Sequence, residues 1–330
     1  MTNRESQVSL AALGPVHISE PTLNRRIRFH QAWYRVAVLG EREYGATRPP
    51  GSRPLGSILS AEAASAGRNF VSDEAADLFR VRHRAGWGID PVRTSGYLTS
   101  SQALTINIFG SFAHEYAWLA RILQRLLGSA HRAVAVTGFD IEHFSPRPSD
   151  GLGDRTTVDV VIHALTADGP LEVGIETKLG DRFNSRHVRF NERYERVAHL
   201  WRDPELVSAR RQVNQLARCH AVVEDLASGV ASRNERPRAL LLLLHSASDA
   251  SARIVGAAYR KVLSDRSTFA QMTLGEFLAA MSVTAVDNAN RHLTESLVGR
   301  YVDMNPSEFL WQESERIRRA RPPVSHTLQP

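Results

Sequence analysis

Cysteine is almost absent from this chain: Cys219 is the only one among 330 residues. A single thiol excludes an intrachain disulfide framework and a zinc site built from cysteines. Long apolar runs are missing too, because a stretch such as Ala239–Leu244 falls far short of the roughly 20 residues that a membrane helix needs. The first residues also lack the apolar core of a secretory signal. These absences predict a cytoplasmic protein with no membrane partner.

The motifs of two common enzyme classes are missing as well. No Gly-x-Ser-x-Gly segment is present, which argues against a serine hydrolase. The segment Gly151-Leu-Gly153 lacks the lysine and the spacing of a phosphate-binding loop. What the chain does carry is positive charge, with a net value of +6 that comes almost entirely from arginine. Arginine suits phosphates and a basic chain favours polyanions such as nucleic acid, although a GC-rich genome also enriches arginine.

Two strands joined by a turn are predicted for residues 157–179. β-Branched residues alternate with other side chains through the first half, and a second apolar run follows Asp168-Gly169, a pair typical of tight hairpin turns. With a two-residue turn at that pair, Asp159 lies opposite Lys178 and diagonal to Glu176. A register shifted by two positions sets Asp159 opposite Glu176, whereas a three-residue loop turns Asp159 to the other face.

Two carboxylates and one ammonium group on the same face of a buried hairpin require compensation, because isolated charges are costly in an apolar environment. Mg²⁺ would supply it, since this ion prefers carboxylate oxygens and keeps water molecules that can act as nucleophiles. Lys178 would then stabilise the charge that develops on a phosphate. The group Asp159, Glu176 and Lys178 therefore predicts metal-assisted phosphodiester hydrolysis. The alternative is a solvated face with a surface ion pair worth ~0–1 kcal/mol.

Asp159 followed by Glu176-Thr177-Lys178 resembles the D…(D/E)xK signature of the PD-(D/E)XK nuclease superfamily. The segment Leu98–Gly110, with its Ser-Ser-Gln-Ala-Leu run, resembles a bacterial group of restriction-endonuclease-like proteins in that superfamily. Together with the Arg-Gln-Val-Asn-Gln-Leu segment at 211–216, the resemblance covers roughly residues 20 to 310. Val158 stands where the superfamily name has proline, a position that is commonly replaced.

The resemblance implies an α/β protein with a restriction-endonuclease-like α/β/α core around a central mixed sheet, plus N-terminal and C-terminal helical additions. Composition and the resemblance together divide the chain into a polar, mobile N-terminus (1–24), a mostly helical region packed on the core (25–98), the nuclease-like core (99–310) and a basic tail (311–330), disordered from Arg316. The implied activity is that of a Mg²⁺-dependent deoxyribonuclease, an endonuclease with a restriction or defence role, in which Mn²⁺ can replace Mg²⁺. Asp159, Glu176 and the carbonyl of Thr177 would bind the metal. DNA would be the partner, and a homo-oligomer is left open. The alternatives are a catalytically inactive nucleic-acid-binding protein and a regulatory interaction protein.

Further candidates lie on neighbouring predicted elements. Glu115 lies on the apolar side of a helix predicted for 111–127, and the resemblance implies an extra metal ligand from this helix; a rim residue that reaches water is the alternative. Gln212 and Gln215 lie on a helix predicted for 206–223, where related nucleases carry a polar active-site residue. Glu142, on the first core strand predicted for 133–144, is expected to point at the site. His220 is expected to be an ordinary core histidine.

Arginines recur at intervals of four, three and four residues after Lys178. On a helix this spacing would form one stripe available to phosphates, with Phe190, Tyr194 and Trp201 on a second stripe facing the core. The alternative is an ordinary basic surface. The predicted nucleic-acid-binding residues are Arg182, Arg186, Arg189 and Arg193.

Overall fold

A computed structural model describes residues 8–17, 19–86, 88–127, 135–143, 151–183, 192–230 and 238–320. The strands are β1 Tyr44–Ala46, β2 Pro54–Leu59, β3 Ala135–His143, β4 Val158–Thr166, β5 Gly169–Lys178, β6 Ala239–His245 and β7 Phe269–Thr273. The helices are α1 Leu10–Leu13, α2 Thr22–Ala37, α3 Ala61–Ser65, α4 Asp73–Arg84, α5 Pro91–Gly96, α6 Ser101–Gly110, α7 Tyr116–Leu127, α8 Pro204–Ala209, α9 Asn214–Val230, α10 Ala250–Val262, α11 Leu274–Thr284, α12 Asn288–Tyr301 and α13 Glu308–Ala320.

A five-stranded mixed sheet forms the centre of the protein, with the strand order β3-β4-β5-β6-β7. Strand β4 runs antiparallel to both of its neighbours, β3 and β5, whereas β5, β6 and β7 run parallel to one another. Strand β5 is thus covered on both edges, and β6 beside it contributes only buried side chains. Charged residues on β5 are therefore held in the middle of the sheet.

Helices cover both faces of this sheet. Val160, Ile162 and Ile175 belong to a core shared with α6, α7, α11 and α12, while Val161 belongs to a second core shared with α9 and α10. Alternation along β4 explains the division, because successive side chains of a strand point to opposite faces. The α/β/α architecture with a central mixed sheet, predicted from the sequence, is confirmed.

The hairpin between β4 and β5 has a different turn from the one centred on Asp168-Gly169. Thr166 pairs with Gly169, so Ala167 and Asp168 form the turn, and Val160 pairs with Ile175. The Thr166 hydroxyl fixes this turn by donating to the Gly169 carbonyl at 2.9 Å, and Gly169 takes a φ of +111° that favours glycine. Asp159 therefore does not lie opposite Lys178. The shifted register, which brings Asp159 beside Glu176, is the one adopted.

Helices and strands also lie before and after the core. Within residues 1–24, which were predicted to be mobile, residues 10–13 form the short helix α1 and Leu13 is buried. The region 25–98 contains the two-stranded sheet β1-β2 besides its helices. In the predicted tail, α13 continues to Ala320, because ion pairs join residues three apart along the helix and Trp311 packs against other hydrophobic residues. Residues 321–330 lie outside the described part of the chain.

Two predicted helices have different bounds in the structure. The helix predicted for 111–127 begins at Tyr116, and a separate helix that was not predicted, Ser101–Gly110, precedes it and is capped by the Ser100 side chain. The helix predicted for 206–223 breaks at a 3₁₀ turn, Arg211–Val213, between α8 and α9.

Candidate active site

Glu176 and Lys178 lie at the carboxyl end of β5, where the sheet buries both side chains. The two residues are two apart in one strand and share a face, and the Lys178 Nζ donates to Glu176 Oε1 at 2.7 Å. Gln215 at the start of α9 donates to the same oxygen at 2.5 Å. The Cys219 thiol, one turn further along α9, donates to Glu176 Oε2 at 3.4 Å. The Glu176 carboxylate is thus held between its own strand and α9.

Asp159 approaches this group from β4. Its Oδ2 accepts hydrogen bonds from the Thr177 N–H at 2.7 Å and from the Thr177 hydroxyl at 2.8 Å. The Thr177 hydroxyl also lies 2.7 Å from that of Thr105 on α6. Thr177, predicted only as a source of a metal-binding carbonyl, therefore anchors Asp159 through its N–H and side chain. Asp159 Oδ1 has no hydrogen-bond partner among the residues that the structure describes.

The pKa values record crowding of negative charge. Burial, followed by the repulsion of Glu176, raises the pKa of Asp159 to about 7. Burial alone would lower the pKa of Lys178, but the carboxylates of Glu176 and Asp159 outweigh it and raise that pKa, so the ammonium stays charged. Lys178 also lies 5.1 Å from the centre of the Phe183 ring, which favours a cation.

Glu142 is a third carboxylate in this cluster, and β3 delivers it as the sequence analysis expected. Its side chain is only 3% exposed, and burial and then the charge of Asp159 raise its pKa well above the usual range. The backbone has a φ of 51°, uncommon for a residue other than glycine. Arg82 holds this bend by donating to the carbonyls of Ile141 at 2.8 Å and Glu142 at 3.1 Å.

Gln102 orients Glu142, a role that the sequence analysis did not assign to it. The Gln102 amide donates to Glu142 Oε1 at 2.8 Å and to the Gly88 carbonyl at 2.7 Å. Its oxygen accepts from the Asp90 N–H and the Thr94 hydroxyl, both at 3.0 Å. A polar side chain within a segment of otherwise helical, apolar character was the only signal available. Asn107, from the same segment, is structural and bonds to Asn69 and Tyr301.

The donor set fits a hard divalent cation in its chemistry. The carboxylates of Asp159, Glu176 and Glu142 converge, and burial followed by charge repulsion raises the pKa of Asp159 and of Glu142; a cation would relieve the repulsion. Within the described ranges, no three His, Cys, Asp or Glu side chains are already grouped as a metal site. The ligands would therefore have to draw together around the ion, with Glu176 giving up part of its contact with Lys178 or Gln215.

A family model described as the PD-(D/E)XK nuclease superfamily matches residues 18–303 of the chain. This match spans nearly the whole chain. The chain belongs to the PD-(D/E)XK nuclease superfamily. Comparisons with curated proteins and with solved structures found no match. Members of this superfamily are generally nucleases and typically use divalent metals, so the signature residues here lie in a candidate nuclease active site.

The other residues predicted for the site have different positions in the structure. Gln215 contacts Glu176, as described above, whereas Gln212 is exposed in the 3₁₀ turn before α9. Glu115 lies in the turn before α7 and makes no hydrogen bond or ion pair with Asp159, Glu176 or Lys178. Glu142 takes the position beside the signature residues that was predicted for Glu115. His220 is a core histidine, as predicted: it is fully buried against the Tyr259 hydroxyl at 2.9 Å, and burial lowers its pKa to about 3.

The predicted arginine helix is not present in the described residues. Arg182 is exposed in an irregular segment after β5, and Arg193 is exposed in a turn before a 3₁₀ helix, Glu195–Leu200. Arg186, Arg189 and Phe190 lie outside the described residues. Tyr194 and Trp201 are buried, as the predicted aromatic stripe requires. None of the helices formed by the described residues is long and apolar enough to cross a membrane.

Proposed function

We propose that this protein is a Mg²⁺-dependent nuclease that hydrolyses phosphodiester bonds in DNA, with Mn²⁺ able to replace Mg²⁺. The observation that carries the proposal is the convergence of Asp159 and Glu176, from neighbouring strands, on the ammonium group of Lys178. The net charge of +6 supports a polyanionic substrate. An endonuclease with a restriction or defence role follows from the resemblance of the Leu98–Gly110 segment and belongs to the same proposal, as does a location in the cytoplasm.

Each residue of the site has a role that its contacts support. Asp159 and Glu176 would hold the metal together with the Thr177 carbonyl, and Glu142 adds a third negative group to the cluster. A bound Mg²⁺ would neutralise charge on the phosphate and lower the pKa of a water molecule. Lys178, buried and charged, would orient the attacking water and stabilise the negative charge that grows on the phosphate oxygens. Gln215 would keep the Glu176 carboxylate aligned, and Thr177 does the same for Asp159.

A nucleic-acid-binding protein without catalytic activity is the second candidate. This candidate is favoured because Glu176 Oε1 already accepts hydrogen bonds from both Lys178 and Gln215. If those contacts persist in the presence of Mg²⁺, the ion lacks a second carboxylate ligand. Binding would then be independent of metal and sensitive to salt, with no turnover.

Cleavage assays with matched variants separate the two candidates. The chain is incubated with supercoiled plasmid, linear duplex, single-stranded DNA and RNA, in Mg²⁺, Mn²⁺ or EDTA. We expect products from DNA with either metal and none in EDTA, and no products from Asp159→Asn or Lys178→Met in any condition. The substitution Arg260→Gln, on the exposed face of α10, is the control and should cleave like the wild type. Equal cleavage by wild type and both site variants would show that a contaminant is responsible and would reject the proposal.

A further inference from the structure

A cavity of about 530 Å³ opens beside the carboxylate cluster, between the N-terminal region and the core. The cavity is shallow and open to solvent. Arg48 and Asp90 line it from the N-terminal region, and Arg155, Thr157 and Gln102 line it from the core. The two arginines make the cavity a candidate binding site for an anionic group.

The cavity shares its wall with the candidate active site. Gln102 donates to Glu142 Oε1 at 2.8 Å, and the Thr157 side chain hydrogen-bonds to the same carboxylate. Thr157 also precedes Asp159 by two residues in the chain. Only the neutral side chains of Gln102 and Thr157, which both hydrogen-bond to Glu142, would therefore separate Glu142 from a group bound in the cavity.

The two arginines differ in their availability. Arg155 is exposed and has no hydrogen bond or ion pair with any residue in the part of the chain that the structure describes. Arg48, with a side chain 48% exposed, forms an ion pair with Asp90. An anion entering the cavity would meet the free guanidinium of Arg155 directly and would compete with Asp90 for Arg48. Guanidinium groups match the geometry of phosphate oxygens through paired hydrogen bonds.

We infer that this cavity binds a backbone phosphate of the substrate strand, adjacent to the phosphate that is cleaved. The inference rests on the proposed function, because it takes a phosphodiester chain as the ligand. Arg155 would make the main contact, Arg48 would join it, and Asp90 would oppose binding while the ion pair persists. The N-terminal region would then be part of the substrate site, connected to Glu142 through the four hydrogen bonds of the Gln102 amide.

Binding measured in EDTA tests the inference without any cleavage. Fluorescence polarisation would follow a labelled single-stranded 12-mer on the full-length chain and on three variants. Arg155→Gln should weaken binding by roughly tenfold and reduce the slope of log K against log salt by about 0.7. Asp90→Asn should tighten binding by roughly threefold, because it removes a negative charge and frees Arg48. Asparagine also keeps the cap on α5, where Asp90 accepts from the Arg93 N–H at 3.0 Å. Arg260→Gln, on α10 at the opposite edge of the sheet, is the matched loss of one exposed arginine.

Two results would overturn the inference. One is an Arg155→Gln effect no larger than that of Arg260→Gln, and the other is weaker binding by Asp90→Asn. Inorganic phosphate and thymidine 5′-monophosphate serve as competitors; if either displaces the 12-mer at the concentration of the 12-mer itself, the cavity is a mononucleotide site and the strand assignment is wrong. Arginine-dependent binding without any metal-dependent cleavage by the wild type would reject the nuclease proposal and keep the cavity. Cleavage that is unaffected by Arg155→Gln, with unchanged binding, would reject the cavity alone.

Discussion

Replacing Asp159 by asparagine should stabilise the metal-free chain while it abolishes hydrolysis. In the wild type, burial and the charge of Glu176 raise the pKa of Asp159 from an ordinary value of 3.8 to about 7. The ionised form is thus disfavoured in the folded chain. An asparagine oxygen can still accept from the N–H and hydroxyl of Thr177, which lie 2.7 and 2.8 Å from Asp159 Oδ2. The substitution removes the repulsion and keeps the anchoring hydrogen bonds.

The pKa shift sets the size and the pH dependence of the effect. A rise of the pKa from 3.8 to about 7 corresponds to an upper limit of about 4 kcal/mol. Between pH 4 and 7 the folded wild type holds a proton that the unfolded chain has already released, so its free energy of unfolding falls as pH rises through this window. Above pH 7 both states are ionised and the loss is complete. We therefore expect Asp159→Asn to be more stable than the wild type by about 2–4 kcal/mol at pH 8, with little difference at pH 4.

Urea unfolding in EDTA at pH 4 and pH 8 measures both predictions. Glu176→Gln is the control with the opposite sign, because Glu176 accepts from the buried Lys178 at 2.7 Å and removing one partner of a buried pair costs about 3–5 kcal/mol. Adding Mg²⁺ should stabilise the wild type by RT ln(1 + [Mg²⁺]/Kd) and should leave Asp159→Asn nearly unchanged. The reasoning would be refuted if Asp159→Asn were no more stable than the wild type at pH 8, or if its advantage were equal at both pH values.

Three further predictions concern separate parts of the fold. Lys178→Met should eliminate cleavage but change nucleic-acid affinity in EDTA by less than about threefold, since one buried charge is lost; a large loss in a polarisation assay would assign Lys178 to binding instead. Asp154→Asn should cost about 2 kcal/mol at pH 7, because the ion pair with Arg218 holds the pKa of Asp154 down at about 2 despite burial. That cost should shrink in unfolding curves as pH falls from 4 towards 2, where the wild type also loses the charge; a constant cost would contradict it. Gly174→Ala should cost about 1–3 kcal/mol, because the new methyl would lie 2.3 Å from Val223 Cγ2, and Val223→Ala should restore most of the loss in thermal unfolding.

Local patterns were enough to predict the sheet and the signature residues. The apolar alternation of β4, the uninterrupted apolar run of β6 and the charged pair Glu176 and Lys178 two residues apart are all properties of single strands. Because successive side chains of a strand point to opposite faces, the face of each residue follows from its position in the strand alone. The fold class followed from those elements and from the resemblance, and the family match confirms both.

The hairpin register could not be predicted in the same way. Asp168-Gly169 is a good turn signal, but the turn forms one residue earlier. The Thr166 hydroxyl bonds to Gly169, and Arg238, 72 residues further on, bonds to Thr166 at 3.0 Å and to Asp168 at 3.1 Å. A contact over that separation has no counterpart in the local sequence.

By itself, the sequence determined that Asp159 lies in one buried strand of a hairpin and that Glu176 and Lys178 share a face of the other, because strand period and apolar context depend only on neighbouring residues. Only the tertiary structure decided the register that sets Asp159 beside Glu176, that Gln102 orients Glu142, and that Arg155 lies beside an open cavity with no partner among the described residues. These contacts join β3, α6 and the N-terminal region across separations such as the 40 residues between Gln102 and Glu142. The physical reason is that a hydrogen bond between distant segments depends on how helices and strands pack, and packing is a property of the whole chain.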